Sequence, residues 1–175
     1  KPMKKLLLIL LCVPLIGLGQ QTEKKDRTFD VINHPKSKGI NFSIKEPVDF
    51  ERIDSKNNDI VYTWMKGKDI MILINIKDYP IGLTKNECIQ MLKDENTLEE
   101  LAGIFNAKKV EYIVIDSYPG VIMQFYDGES YFHKQISLYF DDKMFSLSMM
   151  TGKESRLDIY KEVFLYMANS LVFHK

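Results

Sequence analysis

The chain has 175 residues, enough for one domain of ordinary size, and its 24 basic and 24 acidic side chains leave no net charge. Hydrophobic residues make up 45% and charged residues 27%, the balance of a globular chain rather than a disordered one. No basic stripe or run is present to track a phosphate backbone, which argues against nucleic acid as a partner.

The chain opens KPMKKLLLILLCVPLIGLGQQ. Lys4 and Lys5 precede an apolar run over residues 6–18, thirteen residues long. A bilayer span takes about 20. Gly17 and Gly19 then set small residues where signal peptidase requires them. Residues 1–19 therefore read as a signal peptide, and the protein is expected to be exported, to the periplasm or beyond. Processing as a lipoprotein at Cys12 is disfavoured, because Leu11 stands where a small residue is needed. Removal of the segment takes away Lys1, Lys4 and Lys5 and leaves a net charge of −3. It also removes Cys12, so Cys88 stands alone and no internal disulfide is expected. No later apolar stretch reaches membrane length, so the mature chain is expected to carry no membrane span.

Residues 20–38 (QQTEKKDRTFDVINHPKSK) are polar and without sustained period, and read as a flexible leader. A single domain is expected over residues 39–175. In INFSIKE, Ile40, Phe42 and Ile44 alternate with polar neighbours, the pattern of a half-buried strand. IVYTWM and DIMILINI flank Gly67-Lys68, which reads as a two-residue hairpin loop pairing Met65 with Ile70, Trp64 with Met71 and Tyr62 with Leu73. Both faces of this hairpin are apolar, so both should be covered.

The covers come next. Thr84 and Glu87 form a capping box opening TKNECIQMLKDEN, with Cys88, Met91 and Leu92 on one side. Thr97 and Glu100 repeat the signature before LAGIF. Near the C-terminus, Ser155 with Asp158 reads as the cap of one helix, LDIYKEVFLYMANSL, with Ile159, Val163, Met167 and Leu171 at helical spacing.

Between the helices lie VEYIVID, GVIMQFYD, SYFHKQISLYF and MFSLSMM. Tyr118-Pro119-Gly120 and Asp127-Gly128-Glu129 supply turn residues between them. A loop at Asp142-Lys143 pairs Phe140 with Phe145, Leu138 with Leu147 and Ile136 with Met149. The expected fold is α+β: an α-β-α sandwich around a mostly antiparallel sheet of about seven strands, closed by a C-terminal helix.

That order of elements, with the pieces YPGVIMQFY and NSLVF, resembles the PsbP-like fold over roughly residues 39–173. The resemblance implies an exported bacterial accessory or binding protein. Known members include an extrinsic photosystem subunit and a nuclear transport factor that binds a small GTPase, and both act by binding proteins. No motif carries a functional residue across.

Candidate chemistry is sparse. Cys88 lies in the first turn of a capped helix, where the macrodipole favours a thiolate, and His133 is the one histidine placed to serve it as a base. This small thiol hydrolase is the alternative to a binding role, and packing beneath the helix explains the thiol more simply. Asp127, Glu129, Asp141, Asp142 and Asp116 cluster near turns, yet they lack the ordered ligand spacing of a calcium loop. No metal and no cofactor is expected. A third reading is a carrier of an apolar ligand lined by Met71, Met91, Phe125 and Met149.

The leading candidate is a sheet face. Tyr131, His133, Gln135, Ser137 and Tyr139 alternate along one strand, next to Ser146, Ser148 and Met150. Gln124 and Tyr126 are expected to join them from the preceding strand. Tyrosine binds with little entropy loss, since a rigid ring carries a polar tip. The chain is therefore expected to be a non-enzymatic domain that recognises a protein or small ligand through this face.

Overall fold

The computed structural model describes residues 27–80, 82–140 and 142–174. The expected signal peptide at residues 1–19 lies outside the described residues, as does the first part of the leader. In chain order the elements are β1 (Thr28–Val31), a 3-10 turn (Pro35–Ser37), β2 (Asn41–Lys45), β3 (Glu51–Ile53), β4 (Ile60–Lys66), β5 (Ile70–Asp78), α1 (Lys85–Lys93) and α2 (Glu95–Ile104). They continue with β6 (Ala107–Ile115), β7 (Tyr118–Tyr126), β8 (Phe132–Phe140), β9 (Lys143–Thr151), α3 (Glu154–Ile159), α4 (Lys161–Asn169) and β10 (Val172–His174).

Seven strands form one antiparallel sheet in the order β3-β4-β5-β9-β8-β7-β6. Side chains alternate between its faces with period two. One face presents Ile72, Ile74, Phe145, Leu147, Ile136 and Leu138, all buried against Phe42 and Ile44 of β2 and Phe164 and Met167 of α4. The opposite face presents Val110, Val121 and Met123, packed under Cys88 and Leu92 of α1, with Leu98 and Leu101 of α2 beside them. Helices thus cover both faces, as an α-β-α sandwich requires.

A second, three-stranded sheet, β1-β2-β10, shares the first core. INFSIKE lies in it rather than in the main sheet. The expected flexible leader is corrected from Thr28 onward: Phe29 pairs with Ile44 and Val31 with Phe42, and Val31 is buried. Four residues are too few to show a period, and only the partner strand makes TFDV a strand. The other flank of β2 is β10, where Phe173 pairs with Phe42. The segment expected to end a helix leaves it at Ser170, whose hydroxyl donates to the Met167 carbonyl and accepts from the Lys45 N–H at 2.8 Å.

Two registers differ from expectation. In β4–β5, Lys66 pairs with Ile70, Met65 with Met71 and Tyr62 with Ile74, so the loop has three residues and Gly67 takes φ 59°. Both hairpin faces are apolar, so a one-residue slip costs little burial and the pattern does not specify the pairing. In β8–β9, Phe140 pairs with Lys143, Leu138 with Phe145 and Ile136 with Leu147, two residues from the expected pairing. A shift of two keeps every side chain on its expected face.

The Thr84 capping box forms as expected: the Thr84 N–H donates to Glu87 Oε2 at 2.8 Å, and the Glu87 N–H donates to Thr84 Oγ1 at 3.3 Å. The Thr84 hydroxyl, which donates to Glu87 Oε2 at 2.7 Å, and after it the Thr84 N–H hold the Glu87 carboxyl below its ordinary pKa. The next helix is capped not by Thr97 but by Asp94, which accepts the Thr97 N–H. Ser155 caps nothing, and the expected C-terminal helix breaks at Tyr160, which leaves Ile159 64% exposed. Tyr118-Pro119-Gly120 is strand, not turn. The turn is Asp116-Ser117, both at positive φ, the geometry of a two-residue hairpin loop.

Candidate binding surface at the end of the sheet

The β7–β8 hairpin closes on Asp127, whose Oδ1 accepts backbone N–H groups from Glu129, Ser130 and Tyr131 at 2.9–3.0 Å. Those three donors, Tyr131 foremost, hold its carboxyl far below the usual range; His133 Nε2, 3.3 Å from Oδ2, adds a smaller effect. Gly128 takes the positive φ that the turn needs. Asp127 and Glu129 are turn chemistry here. Among the described residues no three His, Cys, Asp or Glu side chains gather as a metal site would need.

The stiffened hairpin presents an aromatic cluster. The His133 ring stacks flat on Phe125 at 4.7 Å, Phe105 lies 6.2 Å from Phe125, and Tyr126 lies 4.8 Å from Phe132. Ile104, Phe105, Tyr126 and Tyr131 are exposed by 75, 42, 38 and 43%. Scattered exposed apolar side chains are ordinary, but a group at one end of a sheet marks a surface. Beside the cluster is a cleft of about 240 Å³ lined by Asn106, Lys108, Gln124, Tyr126, Phe132 and Glu154. Glu154 Oε1 accepts from Lys108 Nζ and from Gln124 Nε2. The Lys108 contact leads in holding the Glu154 carboxyl below its ordinary pKa, so it stays anionic.

The six expected site residues do not form one face. Gln124 pairs with Lys134 and Tyr126 with Phe132, so both lie on the face opposite His133 and Gln135. Phe125 and Met123 hold the places expected for them. Tyr131 sits in the turn just before β8. Even so, Gln124, Tyr126, Tyr131 and His133 all reach the same end of the sheet. Gln135, farther along β8, is tied into a ladder: it donates to Ser137 Oγ at 2.8 Å and accepts from Ser148 Oγ at 2.9 Å, while Ser137 and Ser146 lie 3.2 Å apart. Tyr139 belongs to the core under α1, and burial, with Tyr79 and Cys88 adding to it, pushes its hydroxyl up to about 12. Its truncation would probe packing, not recognition.

The thiol alternative is not assembled. Cys88 is 2% exposed, and burial pushes its thiol pKa up, against the pull of the helix N-terminus. It lies beside Tyr139, six residues along β8 from His133, which is about 20 Å of strand. Iodoacetamide at pH 8 is therefore expected to leave native Cys88 unmodified and to label it fully once denaturant is added. Complete labelling of the folded protein would sink the buried placement. The carrier reading fails on geometry too, since Met149 faces the β2 side of the sheet while Phe125 and Met91 face the α1 side.

Ile104, Phe105, Lys108 and Glu154 were not legible as site residues. Ile104 and Phe105 lie in the apolar LAGIF run, and nothing in that run shows that the end of α2 leaves both exposed. Glu154 comes to Lys108 from 46 residues away.

A sheet covered by helices on both faces, with a small sheet beside it, has counterparts among solved structures, and the fold is PsbP-like. The solution structure of cyanobacterial PsbP (CyanoP) from Synechocystis sp. PCC 6803 is similar, with a TM-score of 0.53, 12% identity, and coverage of 90% of this chain and 99% of that one. A crystal structure from Bacteroides thetaiotaomicron VPI-5482 is similar at a TM-score of 0.52 and 14% identity, over 86% of this chain and 49% of that one. No protein-family model matches the sequence, and no curated protein matches it either. Among the described residues no helix is long and apolar enough to cross a membrane.

Proposed function

We propose that the chain is an exported, non-catalytic accessory domain that binds a protein partner through the aromatic end of its sheet. One observation carries the reading: Tyr126, Phe125 and Phe132 line a cleft together with the anionic Glu154, and Phe105 and Tyr131 lie exposed at the same end of the sheet. Apolar rings beside a fixed charge provide the buried contacts and the orientation that recognition needs. The PsbP-like fold supports an accessory role, and the opening apolar run supports export. The sheet face expected to bind is largely tied into the serine ladder and the α1 core, which favours the sheet end over that face.

A benzoylphenylalanine photo-crosslinker in place of Tyr131, in the producing cell, is expected to yield a discrete protein adduct. The same group at Ile32, comparably exposed just after β1, should yield none. Adding Phe105→Ser and Tyr126→Ser should reduce the Tyr131 adduct at least tenfold while leaving the circular dichroism unchanged. Equal adducts from both positions, or an adduct indifferent to those substitutions, would remove the assignment.

A further inference from the structure

The strand β6 is nine residues long and forms one edge of the main sheet. Along it, between the strand and helix α2, runs a groove of about 530 Å³. The groove is lined by every residue from Lys108 to Tyr112, and by Glu95, Leu98, Glu99 and Ala102 of the helix. Consecutive strand residues point to opposite faces. A hollow that touches five in succession follows the backbone edge itself, where a strand's outward N–H and C=O groups have no strand partner. Five residues of strand extend about 17 Å.

The charges along the groove do not cancel. Lys109 is paired with Glu111 at 2.8 Å, and Lys108 is paired with Glu154. Glu95 and Glu99, one turn apart on α2 and both exposed, have no ion pair among the described residues. The helix wall therefore carries two uncompensated carboxylates above an apolar strip of Leu98, Ala102 and Val110. We infer that this groove takes an extended, basic segment of a partner protein, which adds to β6 as an eighth strand and sets lysine or arginine against Glu95 and Glu99. Backbone pairing supplies affinity in this mode, and the wall of the groove supplies selectivity. Lys108 lines both this groove and the aromatic-end cleft, so the added strand runs toward Tyr126. The inference rests on the reading of the protein as a binder of proteins and names the form of the partner.

A phage-displayed library of random nine-residue peptides, panned on the folded protein, supplies the probe. Selected peptides are expected to carry Lys or Arg at alternate positions. A synthetic copy should slow amide exchange within residues 108–112. Its affinity should fall at least tenfold in a Glu95→Gln, Glu99→Gln double variant, and should weaken in high salt. Three outcomes would each overturn the inference: no enriched sequence, a selected peptide that protects amides elsewhere, or affinity unchanged in the double variant. So would a concentration-dependent dimer in which a second copy's β6 occupies the edge and excludes peptide. A chain that cross-links at Tyr131 yet takes no peptide on β6 loses this inference and keeps the proposed function.

Discussion

Truncation of Phe145 to alanine is expected to cost about 3–5 kcal/mol, the range for removing a fully buried aromatic ring. Phe145 lies on β9, 0% exposed, with Phe42 at 5.2 Å and Phe173 at 5.2 Å, both edge-on. It is where the main sheet meets both β2 and β10. Phe42 and Leu147, in the same core, are themselves held in paired strands, which limits how far they can move to fill the cavity. Against a total stability of about 5–15 kcal/mol this loss is large. For a domain of this size each kcal/mol moves the melting temperature by about 2–4 °C, so thermal unfolding should begin well below that of the parent. The small sheet should loosen first, seen as faster amide exchange in β1, β2 and β10. A melting temperature within 2 °C of the parent would contradict the packing, at that same conversion.

Gly120→Ala is expected to destabilise even though most glycine-to-alanine changes in regular structure do the reverse. A Cβ at this position would lie 2.1 Å from the Ser137 carbonyl oxygen and 2.8 Å from Leu138 Cδ2. The obstacle is backbone in the middle of the sheet, so β7 must move off β8 and disturb the pairing of Gly120 with Leu138. The cost should lie at or above the top of the usual overpacking range, about 1–3 kcal/mol. The relief of unfolded-state entropy, about 0.4–1 kcal/mol, works in the opposite direction and is too small to compensate. Gly103→Ala in α2 is the matched control. There an added Cβ meets nothing within 4 Å and the backbone is helical, so the midpoint of urea unfolding should rise slightly. The two substitutions should therefore shift that midpoint in opposite directions. A shift of the same sign in both would refute the close approach of β7 to β8.

The surface at the sheet end owes its rigidity to chemistry that is local to the hairpin. Asp127 spends its carboxylate on three backbone amides, and the His133 ring is pinned between Phe125 and Asp127. Tyr126 and Tyr131 are thus displayed by a frame that does not have to order on binding, which limits the entropy lost there. The same reasoning separates this region from Gln135 and Tyr139. Those side chains have their partners inside the molecule and have little left to offer a second one.

Elements governed by neighbours in sequence were legible before any tertiary contact was known. The Thr84–Glu87 box starts a helix because its two bonds span three residues, and the strands of β6–β9 were visible as alternating or continuous apolar runs. Features set by distant partners were not legible. The strand β1 exists because β2 lies beside it, and β10 because β2 has a second free flank. The β4–β5 register escaped because a hairpin apolar on both faces does not penalise a slip, whereas the β8–β9 error of two residues left the faces intact. The site divided in the same way. Tyr126 and Tyr131 stood out as candidates by their chemistry while Ile104, Phe105 and Glu154 did not, and Gln124 and Tyr126 were expected on the wrong face because strand pairing, not spacing within one strand, decides which side chains are neighbours.

By itself, the amino-acid sequence determined that this chain folds as a helix-covered antiparallel sheet, since periodicity and capping act over a few residues and need no partner. Tertiary structure alone decided that the first and last described strands, β1 and β10, flank β2 in one small sheet, and that Lys108 meets Glu154. Each of these joins groups far apart in the chain, and the free energy that unites them arises only when the whole core closes.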